Sequence, residues 1–146
     1  MSRLIPLAAF LLSVVPLVAA PVPKSLKKAA PGSIVGEWRE VTADADGRPT
    51  ESPTGYTWRF EADGTAAVIW PNGNTIPAAY QLDHQTAPVG YDWTLTSGGH
   101  RFVGVCEVSG DHLRTVTVSA GKPRPTNLAA GQGVEYRTYV RVRAGH

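Results

Sequence analysis

The residues of this 146-residue chain that could do chemistry are four histidines, one cysteine and twelve carboxylates. Zinc needs His or Cys donors at short spacing, as in HExxH, or paired cysteines. His84, His100, His112 and His146 show no such spacing, and Cys106 stands alone. His100 and His112 open consecutive strands, so an antiparallel hairpin holds them at opposite ends, too far apart to share an ion. Asp44-x-Asp46-Gly47 has the beginning of a calcium loop. With Asp44 at the third ligand position, however, the twelfth falls on Pro53, where a glutamate is required. Gly121-Lys122 lacks the upstream glycine of a phosphate-binding loop, and Pro123 follows where Ser or Thr should stand. No Gly-x-Ser-x-Gly elbow occurs. The carboxylates fall on turns and outward strand positions, so no acid–base pair can be nominated. The reading is a protein without catalysis, metal or cofactor.

The remaining constellation is aromatic. Tyr56, Trp58, Phe60, Tyr80, Tyr91, Trp93, Phe102 and Tyr136 are read on inward faces of short alternating runs, with the small Gly104 and Cys106 beside Phe102. These ten are the candidate ligand-binding set. Large aromatics at such positions either fill an interior or wall a pocket whose tyrosine hydroxyls orient a ligand. The small Gly104/Cys106 face is expected to leave room for the second arrangement.

The elements that must position them are strands. No stretch has helical periodicity, and turn residues separate short alternating runs. Strands are expected at 34–42, 56–61, 65–70, 75–82, 91–96, 100–108, 112–118 and 134–143, with Asp63-Gly64 and Asn72-Gly73 as hairpin turns. Tyr56, Trp58 and Phe60 alternate with Thr57, Arg59 and Glu61; Tyr91, Trp93 and Leu95 alternate with Asp92, Thr94 and Thr96. Pro77 predicts an irregular or edge-like side to its strand. The segment 119–133 is a long Gly/Pro-rich loop placed at the barrel mouth. Eight strands linked mostly by short turns predict an all-β fold, a single eight-stranded up-and-down antiparallel barrel without open edges.

Two sets of residues carry a family likeness. Gly36-Glu37-Trp38 on the first strand resembles the signature of lipocalin-like (calycin) barrels. That resemblance implies that Trp38 closes one end of the barrel beneath a last-strand arginine, for which Arg141 is the choice and Arg143 the reserve. Gly104-Val-Cys-Glu-Val-Ser-Gly-Asp-His-Leu113, Arg124-Pro125-Thr126 and a final strand ending in arginine resemble a small exported lipocalin-like domain family abundant in planctomycete bacteria. Cys106 stands where that family usually has an aromatic residue. The likeness covers about residues 34–143 and implies a fold but no chemistry, since the family has no established activity.

Residues 1–20 read as a secretory signal: Arg3, an uncharged apolar run from Leu4 to Val18, then Val18-Ala19-Ala20. Pro21 disfavours cleavage directly after Ala20, so a cut after Ala19 or a retained leader are the alternatives. Residues 21–33 form a Pro/Lys/Ala linker, and 34–143 form the barrel domain. The expected location is periplasmic or extracellular, where one cysteine cannot make an internal disulfide, and Cys106 reads as a buried hydrophobe. A formal charge of +2 argues for neither nucleic acid nor membrane association once the leader is gone. The expectation is a monomer that binds a small apolar or aromatic molecule in its interior. The alternative is an interaction module with a solid core, like the barrel-shaped bacterial inhibitors of secreted metalloproteases, acting through residues 20–33.

Overall fold

Alternation with a period of two dominates the chain after residue 34, and each run forms a strand. The computed structural model describes residues 32–49 and 55–143. Its strands are β1 (Gly36–Ala45), β2 (Arg48–Pro49), β3 (Thr57–Phe60), β4 (Thr65–Ile69), β5 (Thr75–Asp83), β6 (Val89–Leu95), β7 (Arg101–Ser109), β8 (His112–Ser119) and β9 (Glu135–Arg141). Strands β1 and β3 to β9 each pair antiparallel with the next, and β9 returns to β1, closing an eight-stranded up-and-down barrel. The expected signal segment and all of the linker except Gly32 and Ser33 lie outside the described residues.

The short β2 extends β1 as a hairpin around Asp46-Gly47, both at positive φ. Asp46 ties this extension to the start of β9: its N–H donates to Val134 O at 3.2 Å, and its carboxylate accepts from Gly133 N at 2.6 Å. Asp44 and Asp46 thus belong to a hairpin, and no group of three or more metal-capable side chains occurs among the described residues. Pro77 sits where the β5–β6 ladder ends. Its carbonyl accepts from Thr96 N just beyond β6, so its missing N–H faces no strand partner.

The two barrel ends differ in construction. At one end Trp38 is fully buried, and its indole N–H donates to Ile34 O at 2.6 Å. The Arg141 guanidinium carbon lies 4.0 Å from the Trp38 ring centroid, and the two residues are register partners between β1 and β9. Arg141 also donates to Val35 O at 2.9 Å and Ser33 O at 2.8 Å, stapling the incoming chain across the barrel floor. Gly36 makes this possible. Its φ is 125°, and a Cβ there would meet Arg141 Nη1 at 2.9 Å. Arg143 is exposed and pairs with Asp111 instead. Glycine, tryptophan and arginine are therefore one structural device.

Above this floor the interior is filled by Phe60, Tyr80, Tyr91, Cys106 and Leu113, all buried. An aromatic ladder climbs from it: Tyr80 against Phe60 at 5.0 Å, Phe60 against Trp58 at 5.4 Å, Trp58 against Trp93 at 5.0 Å and Trp93 stacked on Phe102 at 4.1 Å.

A second apolar layer lies outside the barrel. Register places Val105, Val116 and Val118 on the outer face, yet they are only 3%, 1% and 5% exposed. The segment between β8 and β9 folds back over them. Arg124 in that segment pairs with Asp92 at 2.6 Å and donates to Gly104 O at 2.7 Å, while Pro125 and Leu128 are half-buried. The segment leaves from the open end but straps the barrel wall, which corrects its expected place at the mouth. A strand with apolar residues on its outer face must cover them, and the strap does so.

Candidate ligand-binding site

A cavity of about 170 Å³ occupies the open half of the barrel. Tyr56, Trp58, Val68, Ile76, Trp93 and Leu95 form its apolar wall. Trp70 stands at the surface, 39% exposed, with its ring edge-on to Tyr56 at 4.6 Å. Tyr91, Thr115, Thr117, Arg137 and Tyr139 form a polar inner end.

The polar end is built by period-two geometry. Arg141 points inward over Trp38, so Tyr139 and Arg137 follow on the same face of β9. Their partners on β8, Leu113 and Thr115, are inward as well. On β1, Glu40 follows Trp38 inward and has no side-chain exposure. Arg137 Nη1 donates to Glu40 Oε2 at 2.7 Å, and Nη2 donates to Glu135 Oε2 at 3.4 Å. Burial works against the Arg137 charge, but Tyr139 and Glu40 outweigh it and hold the guanidinium pKa above its usual value. Burial pushes both the Tyr91 and Tyr139 hydroxyls upward, and Tyr139 shares a hydrogen bond with Thr115. Both phenols therefore stay protonated at neutral pH and can donate or accept.

Among the ten expected ligand-binding residues, Tyr56, Trp58, Tyr91 and Trp93 line the cavity together. Phe60, Tyr80 and Cys106 are inward but belong to the filled lower core. The Tyr80 hydroxyl is committed to Glu61 O at 2.7 Å. Phe102 backs Trp93 without reaching the cavity. Tyr136 is a correction: it pairs with Val116 on the outer face, opposite in parity to Arg137 and Tyr139. Gly104 is a second correction. A Cβ at Gly104 would lie 2.1 Å from Val116 O and 2.9 Å from Thr117 Cα, so the glycine permits close approach of β8 and opens no space. Burial raises the Cys106 thiol to about 12, leaving it an inert hydrophobe.

Sequence reasoning missed the polar end. The signal was present, since inward Trp38 and Arg141 imply inward Glu40, Arg137 and Tyr139 by alternation alone. Trp70 reads in the sequence only as the end of a strand, and nothing local marks it as a mouth residue. The donor set is the Arg137–Glu40 pair, with Glu135 beside it, and the neighbouring hydroxyls. It can recognise a small molecule by shape and hydrogen bonding. Comparison of the chain with protein-family models, with curated proteins and with solved structures finds no match in any of the three.

Proposed function

We propose that this chain is an exported, non-catalytic, lipocalin-like barrel that binds a small apolar or aromatic molecule in the open half of its interior. The observation that carries this reading is the cavity itself: about 170 Å³ of space, walled by aromatic and aliphatic side chains, in a barrel otherwise filled. An apolar cavity of about 150 Å³ is enough to hold benzene, whereas drug-sized ligands need about 300 Å³ or more. The size therefore selects a one-ring molecule. The same space counts against the solid core on which the interaction-module reading depends.

Titration with toluene, followed through the indole N–H signals, tests the proposal. Trp58, Trp70 and Trp93 should shift, and Trp38 beneath Arg141 should not. Val68→Phe fills the cavity from its wall and should abolish the shifts; overpacking costs about 1–3 kcal/mol, so the fold is checked alongside. Absence of any shift in the wild type, or unchanged binding by folded Val68→Phe, overturns the reading.

A further inference from the structure

We infer that the ligand, if the interior is the binding site as proposed above, is an uncharged one-ring molecule carrying a hydrogen-bond acceptor, with its polar group against Arg137 at the inner end of the cavity. The arginine sets the requirement. A guanidinium is donor-only, with five N–H groups in a planar fork. Here it faces the cavity with a side chain 29% exposed, at the polar inner end of an otherwise apolar enclosure. A bare arginine in such a place would select a carboxylate. This one does not stand bare.

Glu40, without side-chain exposure, lies 2.7 Å from Arg137 Nη1, so the enclosed pair sums to zero charge. Glu135 adds a second carboxylate at 3.4 Å, itself 38% exposed and screened by solvent. A carboxylate ligand would give up its hydration and meet no net positive charge. An ammonium ligand would give up its hydration and meet the guanidinium first. Desolvation without a counter-charge disfavours both. A neutral hydroxyl, carbonyl or amide loses less on entry. It can accept from Arg137 and exchange hydrogen bonds with the hydroxyls of Thr115, Thr117 and Tyr139, which line the same end. The walls supply the affinity, and the neutralised pair supplies the choice among rings of equal size.

Size-matched probes separate the charge states: phenol, toluene, benzoate and benzylammonium, each titrated at pH 7 into the whole protein with the indole N–H signals as readout. Phenol should bind most tightly and toluene next. Benzoate and benzylammonium should each bind about tenfold more weakly than phenol or not at all. Glu40→Gln removes the neutralising charge while keeping a hydrogen-bonding side chain, and should raise benzoate affinity relative to phenol by about tenfold. Benzoate or benzylammonium matching phenol in the wild type would overturn the inference while leaving interior binding intact. Toluene binding more tightly than phenol would overturn it too, as would a folded Glu40→Gln that binds phenol but gains nothing for benzoate. If Glu40→Gln does not fold, the wild-type ranking decides alone. Failure of all four probes to bind would overturn the interior-binding reading and this inference together.

Discussion

The two ends of the barrel use the same residue types to opposite effect. At the closed end, tryptophan and arginine are stacked on each other, Trp38 beneath Arg141, and every polar atom named there bonds to backbone or to Asp111. At the open end, Trp58, Trp70 and Trp93 line a cavity of about 170 Å³ together with Arg137. The closed end spends its arginine on holding the chain, and the open end holds its arginine on Glu40 facing empty space. The difference is positional. Gly36 lets Arg141 approach the first strand, whereas β8 presents only Thr115 and Thr117 to the cavity, side chains too short to fill it.

The largest effect expected from this contrast is on stability. Trp38→Ala should cost about 3–5 kcal/mol, because a fully buried indole leaves a cavity that the stapled floor cannot collapse. Trp70→Ala, at a surface-exposed site with one edge-on partner, should cost about 0.5–1.5 kcal/mol. Denaturant unfolding of the two variants measures both. Equal losses would mean that the ends are not built differently.

A double-mutant cycle sharpens the closed end. Coupling between Trp38 and Arg141 should be about 0.5–2 kcal/mol, the range for a cation over an indole face. Coupling between Trp38 and Arg143 should be near zero, because Arg143 lies in solvent against Asp111. A larger coupling at Arg143 would break the assignment.

The smallest effect concerns the strap that leaves the open end. Burial tends to raise the Asp92 carboxyl, but hydrogen bonds and charge from Arg124 and Arg101 outweigh it and hold it below the usual carboxylate range. A lowered folded-state pKa stabilises above the unfolded value, about 3.9 for aspartate, and that contribution is lost as pH falls through the folded-state value. Asp92→Asn should therefore cost about 1 kcal/mol at neutral pH, and the gap from wild type should close below about pH 4. Thermal unfolding from pH 7 down to pH 2 reads this directly; a gap that stays constant with pH would show that Asp92 does not act through its charge.

How far the site could be read in advance turns on β8 and β9. Strands and turns were legible because alternation and Asp-Gly or Asn-Gly signals are local. Tyr136 reads as inward in the sequence, although an inward Arg141 requires the opposite parity at 136. On β8 the usual rule inverts: Thr115 and Thr117 face the interior, while Val116 and Val118 lie outside beneath the strap. Composition cannot reveal that, because hydrophobicity reports burial and not which layer does the burying.

By itself, then, the sequence determined the all-β class and the succession of strands, since both follow from spacing along the chain, while the closure of Trp38 by Arg141 was implied by a family resemblance. Only the tertiary structure decided that the lower interior is filled and the upper left open. It also decided that Arg137 meets Glu40 inside, and that Gly104 serves strand approach and not ligand space. These are questions of distance between residues far apart in sequence. Their answers depend on the bulge between Glu40 and Thr42, the register of β1 on β9 and the path of the strap, none of which has a local signature.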